Sequence, residues 1–297
     1  MNKRDRDERM ISRLSKVILV LLIVLSQMTV FASNIKMPVS ADKKVIKNEK
    51  AVIDVSNIDE GYVMAKYIGQ GSGTIKLIVQ KIGGTSYTYN IFEKDKYEAF
   101  PLTEGNGEYK ITVYEGVGGS KYSTANGTTE KVSLKNELSP FLYPNQYVWF
   151  NKDSAVVALA ENLVGKQADT MEKVKGVYEY VVKNFTYDYA KAKNVKSGYI
   201  CDIDNTLKTK KGICLDYSAV MAAMLRSQGV PTKLIVGYAG TQYHAWISVY
   251  SKEEGWIENV IYFDGRTWTM MDPTMASTSK KPDFKMDEKK YSAKYAY

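Results

Sequence analysis

The chain is 297 residues long, 44% hydrophobic and 25% charged, with a formal net charge of +8, one histidine and two cysteines. This composition excludes a disordered or fibrous polymer, gives length enough for two domains, and is too poor in His and Cys for the usual zinc sets. The positive charge sits mostly on lysines spread along the chain, which argues against a nucleic-acid interface.

In chain order, residues 1–32 read as a secretory signal peptide. Lys3, Arg4, Arg6, Arg9, Arg13 and Lys16 form a basic leader, Val17–Leu25 is an uninterrupted apolar run, and Val30-Phe31-Ala32 offers small residues for cleavage after Ala32. The run is short for a membrane span of about 20 residues. Without this segment the balance is 35 basic against 30 acidic side chains, a net charge of +5. That is a mild charge, compatible with solubility or with an anionic cell surface.

Residues 33–139 are expected to form a small β-sandwich-like domain. Residues 33–50 are polar and Lys-rich and read as a mobile arm or a poorly ordered first strand. Beyond them, Ile75, Leu77 and Val79 alternate with polar residues, as do Tyr87, Tyr89 and Ile91, and Tyr109, Ile111 and Val113. Turn signals fall at Gly69–Gly73, Gly83-Gly84, Gly105–Gly107, Gly118-Gly119 and Asn126-Gly127. The first of these opens a strand, so it reads as a hairpin turn and not as a phosphate loop. The tyrosines here read as strand packing, the alternative being a binding face for sugar or peptide.

Pro140 and Pro144 punctuate a linker, and residues 140–297 change character to an α+β pattern, helices first and then an antiparallel sheet. The first helix is expected over Asp153–Val164. The second is capped by Asp169 or Thr170, with Glu172 placed for the reciprocal bond and Val174, Val177, Tyr178, Val181 and Val182 on one face. Cys214 opens a third helix, which ends at Gly229-Val230-Pro231. Strands follow at Leu234–Val236 and His244–Tyr250, with Ala245, Ile247 and Val249 packing inward. A hairpin turning at Asp264-Gly265 then joins Asn259–Phe263 to Thr267–Met271. The tail from Ala276 to Tyr297 reads either as a flexible end or as part of the last packing layer.

Three side chains in this second region can do chemistry together. Cys214 is a thiol at a helix N-terminus, where unpaired amides and the helix dipole favour the thiolate. His244 is the only imidazole in the chain and so the only candidate base. Asp272, at the end of the last hairpin strand, supplies a carboxylate able to fix the base's tautomer, provided its strand neighbours that of His244. Cys201 precedes Asp202-Ile203-Asp204, whose charge disfavours a thiolate. It reads as a buried bystander, with a redox latch or a bridge to Cys214 as the other readings. Asp216 reads as structural, bonding a loop or a helix terminus. The backbone N–H of Cys214 is a candidate oxyanion donor, and Tyr187 and Tyr199 lie in the segment from which a second could come.

The flanking residues carry a resemblance. Lys211-Gly212-Ile213-Cys214-Leu215-Asp216-Tyr217-Ser218-Ala219, then Arg226-Ser227-Gln228-Gly229-Val230-Pro231, then His244-Ala245-Trp246, then Asp272-Pro273-Thr274 resemble the transglutaminase-like core superfamily, papain-like in fold, over roughly residues 150–275. The resemblance implies a Cys214–His244–Asp272 triad acting on amide bonds without cofactor or metal, as a peptidase, amidohydrolase or transamidase, with hydrolysis the default. The expected substrate is extracellular protein or the peptide of the cell wall. The alternative is a catalytically silent domain serving as a cell-surface or cell-wall binding module through its β-domain.

Overall fold

Strand alternation in the first region builds two antiparallel sheets. A computed structural model describes residues 35–164, 169–258 and 291–297, with backbone pairing also given for 262–263 and 268–269. The strands in chain order are β1 (Val45–Lys47), β2 (Ala51–Asp54), β3 (Tyr62–Tyr67), β4 (Ile75–Lys81), β5 (Ser86–Ile91), β6 (Glu98–Pro101), β7 (Gly107–Gly118) and β8 (Lys121–Val132). One sheet runs β1-β2-β3-β6 and the other β5-β4-β7-β8. Ile53, Val63 and Phe100 of the first and Leu77, Tyr89, Ile111 and Val113 of the second are buried in one apolar cluster, as a sandwich requires.

Of the two readings left open for residues 33–50, a first strand is present: β1 pairs with β2. Two local expectations are corrected here. The loop Gly69–Gly73 is not a hairpin turn, because β3 and β4 belong to different sheets. Its glycines admit close neighbours instead: a Cβ on Gly71 would lie 1.8 Å from Glu115 Oε1, and one on Gly73 would lie 2.3 Å from the Gly116 carbonyl oxygen. Asn126-Gly127 is not a turn but the interior of β8, beside a register shift in its pairing with β7. The Asn126 amide donates to the carbonyls of Ile46 (3.1 Å) and Ala51 (2.9 Å), tying one sheet to the other.

The second region is a helical layer on an antiparallel sheet. Its helices are α1 (Ala155–Leu163), α2 (Thr170–Asn184), α3 (Tyr189–Asn194), α4 (Ile203–Thr209) and α5 (Cys214–Ser227). Two-residue strands β9 (Thr186–Tyr187) and β10 (Lys211–Gly212) pair in parallel before α5. The sheet that follows uses β11 (Thr232–Ala239), β12 (Gln242–Ser251) and β13 (Gly255–Ile257). A separate two-stranded pair, β14 (Tyr262–Phe263) with β15 (Trp268–Thr269), comes next, and β16 (Tyr291–Ala296) returns to the edge of the main sheet. The strand order there is β13-β12-β11-β16.

The capping box expected at α2 is present. Asp169 Oδ1 accepts from the amides of Met171 and Glu172, both at 2.8 Å, and Glu172 accepts from Asp169 N at 3.3 Å. Val174, Val177, Tyr178 and Val181 are buried, while Val182 is half-buried at the edge of the stripe. α5 is enclosed from Asp216 to Ser227. It packs on α1, α2 and α4 on one side and on β11 and β12 on the other. Ala219, Ala222 and Ala223 let these neighbours approach, and Tyr217, Met221, Met224 and Leu225 fill the remaining volume. At roughly 1.5–3 kcal/mol per large apolar side chain, this helix is the energetic centre of the layer.

The short helices α3 and α4 and the strand β16 were not foreseen, beyond the packing-layer reading left open for the tail. His244–Tyr250 is buried on both faces and not only on the Ala245, Ile247 and Val249 side. The apolar cluster is continuous across both regions: Tyr87 and Tyr89 of β5 meet Tyr297 edge-on at 5.6 and 6.0 Å, and Tyr147 stacks on Tyr297 at 3.9 Å.

Candidate active site

Cys214 is the first residue of α5, partly exposed and not in a disulfide. The backbone turns into the helix there because Asp216, two residues on, folds back: its Oδ2 accepts from the Ile213 amide at 2.8 Å. Glycine precedes this bend for a steric reason, since a Cβ on Gly212 would lie 2.6 Å from Asp216 Cβ. Asp216 is fully buried and also meets Tyr199, whose hydroxyl donates to Oδ1 at 2.7 Å, the Lys191 ammonium, 2.6 Å from Oδ2, and the Cys201 thiol. The reading of Asp216 as structural agrees with this geometry.

His244 lies on β12, which packs with β11 against α5, the helix that Cys214 opens. A four-residue connection joins α5 to β11, tightened by the Val230 amide donating to Leu225 O at 3.0 Å, so the helix runs back along the strand it precedes. At about 1.5 Å per helical residue and about 3.3 Å per strand residue, α5 and β11 have similar lengths. Near the end of β11, Gly237 pairs with His244 on β12. His244 is 7% exposed, with its ring 6.3 Å from that of Trp246 and 6.4 Å from that of Tyr291. Tyr291 comes from β16, an element without a sequence signal.

Asp272 lies outside the described residues. The antiparallel pair expected ahead of it is present, with Tyr262 opposite Thr269 and Phe263 opposite Trp268. The neighbours of β12 are β11 and β13, however, and β15 pairs with β14 in its own two-stranded sheet. Among the described residues, adjacency of the last hairpin strand to β12 is thus not the arrangement found.

Cys201 is a different kind of thiol. It is 6% exposed, its Sγ lies 3.5 Å from Thr206 Oγ1, and burial first, then the Asp216 charge, pushes its pKa far up. It stays protonated at neutral pH. Tyr199, offered as an oxyanion donor, is committed to Asp216; burial and that carboxylate push its phenol well up. Tyr187 lies beside Gly212 in the β9–β10 pair, close in the fold to the approach to Cys214. Sequence reasoning missed Lys191, which carries no motif and no period.

Residues 157–273 match the family model described as the transglutaminase-like superfamily. The chain carries a transglutaminase-like core. This superfamily includes cysteine peptidases and transglutaminases. The chain is similar to YebA of Bacillus subtilis (strain 168), 26% identical over 148 residues, 43% of this chain and 20% of that protein. It is also similar to a protein-glutamine gamma-glutamyltransferase of Pseudomonas aeruginosa, 29% identical over 68 residues, 18% of this chain and 10% of that protein. The chain thus matches no more than about a fifth of either relative's length. Among solved structures, the periplasmic domain of TgpA from Pseudomonas aeruginosa aligns at 15% identity and a TM-score of 0.34, covering 69% of this chain and 91% of that one.

Proposed function

We propose that this chain is an exported thiol enzyme that cleaves or transfers acyl groups at amide bonds, acting on extracellular protein or on the peptide of the cell wall. The observations that support the reading are a partly exposed Cys214 on the first turn of a buried helix, and the chain's single imidazole, His244, on β12, a strand that packs against that helix. In the reaction, Cys214 Sγ attacks the carbonyl carbon and its proton passes to His244. The C–N bond of the tetrahedral intermediate then breaks, and His244 gives that proton to the leaving amine. Asp272 orients His244. The thioester left on Cys214 is resolved by water, giving hydrolysis, or by an amine, giving transamidation. First-turn amides of α5, Cys214 N–H included, point toward the developing oxyanion. Export rests on the basic leader, the apolar run Val17–Leu25 and the small residues ending at Ala32.

The test is alkylation of Cys214 by iodoacetamide across pH, in protein lacking residues 1–32 and carrying Cys201→Ala. Rapid modification well below the ordinary thiol value of about 8.5, slowed at least tenfold near pH 7 by His244→Ala, is the expected outcome. A slow, ordinary profile that ignores His244→Ala would overturn the reading.

A further inference from the structure

We infer that Lys191 and Tyr199 are positioning residues for Cys214, acting through Asp216: together they fix the carboxylate that bends the chain into α5, and the Lys191 ammonium offsets the negative charge this carboxylate places two residues from the thiol. The inference rests on the reading of Cys214 as a nucleophile and adds to it two residues from outside the nucleophile's own motif.

Asp216 poses a problem that its surroundings solve. It is needed at the third position of α5, where it accepts from the Ile213 amide at 2.8 Å and so sets the direction of the bend. It is also fully buried, and a buried carboxylate without partners is strongly disfavoured. A lone negative charge there would oppose formation of a second one on the thiol of the same helical turn. Lys191 answers both needs. Its ammonium lies 2.6 Å from Asp216 Oδ2, donates also to the Tyr199 hydroxyl, and sits 4.4 Å from the centre of the Tyr199 ring. Tyr199 closes the group by donating to Oδ1 at 2.7 Å. Lys191 is itself held, because Asp188 caps α3 by accepting from the Lys191 amide at 2.9 Å.

The other charged or titratable groups here are few. Cys201 packs beside Asp216 and remains a thiol. Lys211 on β10 is 3.6 Å from Asp188, which places their charges in a pair of their own. His244 comes from β12 across the layer. Lys191 is therefore the cation that meets the Asp216 carboxylate among the described residues. Its side chain is 28% exposed, so its charge is only partly screened by solvent.

The experiment follows Cys214 alkylation against pH in the Cys201→Ala protein, comparing Lys191→Met, Lys191→Arg, Asp216→Asn and the double variant Lys191→Met with Asp216→Asn. Asparagine keeps an acceptor for the Ile213 amide and drops the charge. Lys191→Met is expected to move the midpoint of the profile up by about one pH unit, roughly a tenfold slowing near neutrality, with Lys191→Arg close to wild type. The double variant should return to within about threefold of the starting protein, since it removes both charges. A residue that only braced the fold would not be rescued by a second deletion. If Lys191→Met does not fold, Asp216→Asn is compared with the double variant, and loss of the now unopposed ammonium should slow alkylation. Equal rates in that pair, or an unmoved midpoint in Lys191→Met, would overturn the inference. The wild-type profile and His244→Ala test the thiol-enzyme reading separately, so a failure of one is distinguishable from a failure of the other.

Discussion

At Gly237 there is no room for a side chain. A Cβ there would lie 2.1 Å from the Ser292 carbonyl oxygen and 2.9 Å from Trp246 Cη2, because β16 closes against β11 at this point. Gly237→Ala is expected to destabilise the protein by about 2 kcal/mol, by the cost of overpacking. Since Gly237 pairs with His244, the same change should slow Cys214 alkylation. Urea unfolding and the alkylation rate check the two effects together, and a variant unchanged in both would show that β16 yields easily. The places of Cys214 at a helix start, of His244 on a strand and of Asp216 at a helix terminus were legible in the sequence because each lies in a local motif. Lys191 and Tyr199 were not legible as partners of Asp216. They stand 25 and 17 positions before it, on a short helix and a loop with no periodic pattern, and only the folded chain brings them together.

Among the elements, α2 was read almost residue for residue, because its cap and its apolar period act locally. Asp169→Ala should cost about 1 kcal/mol in thermal or urea unfolding, the usual value of a lost N-cap. Little or no loss would mean that tertiary packing alone holds α2. The turn signals were read less well. Gly69–Gly73 and Asn126-Gly127 have turn composition, but their glycines serve close approaches and a strand register shift that only the paired sheets explain. The loop leading into β1 and the end of β2 carry a pH dependence. Burial pushes the Asp54 carboxyl up, but hydrogen bonds from Ser40, Ser56 and the amides of Asp42 and Ser56 outweigh it, leaving the group below its ordinary value of 3.8. The unfolded chain therefore takes up a proton first. The contribution of Asp54 is complete above that ordinary value and is lost as pH falls through the lower, folded one. Asp54→Asn should flatten the acid limb of stability against pH, and parallel limbs in the two proteins would contradict this.

At the scale of the whole molecule, one side chain ties distant parts of the chain together. Arg226 is 2% exposed and donates to three carbonyls: Thr232 at 2.9 Å, Tyr143 at 2.8 Å and Tyr297 at 2.6 Å. It thus joins the end of α5, the start of β11, the segment after the sandwich and the residue after β16. Arg226→Met keeps bulk but takes a donor from all three carbonyls, of which Tyr297 O keeps the Leu234 amide at 3.0 Å, at about 1–3 kcal/mol for each one left unsatisfied. A loss of 3 kcal/mol or more by chemical unfolding is expected; a loss under 1 kcal/mol would mean that water replaces the guanidinium. The sequence marked Arg226 only as part of a motif, since its partners are backbone atoms that no side-chain pattern reveals. The position of β16 has a consequence in time. A chain synthesised from its N-terminus presents α5, β11 and β12 before residues 291–296 exist, so the sheet holding His244 waits for its edge, and Tyr291 reaches the imidazole last. Completion of the sheet around His244 is then a late event in the life of each molecule, and a newly made chain passes through a period in which that imidazole is present before its surroundings are complete.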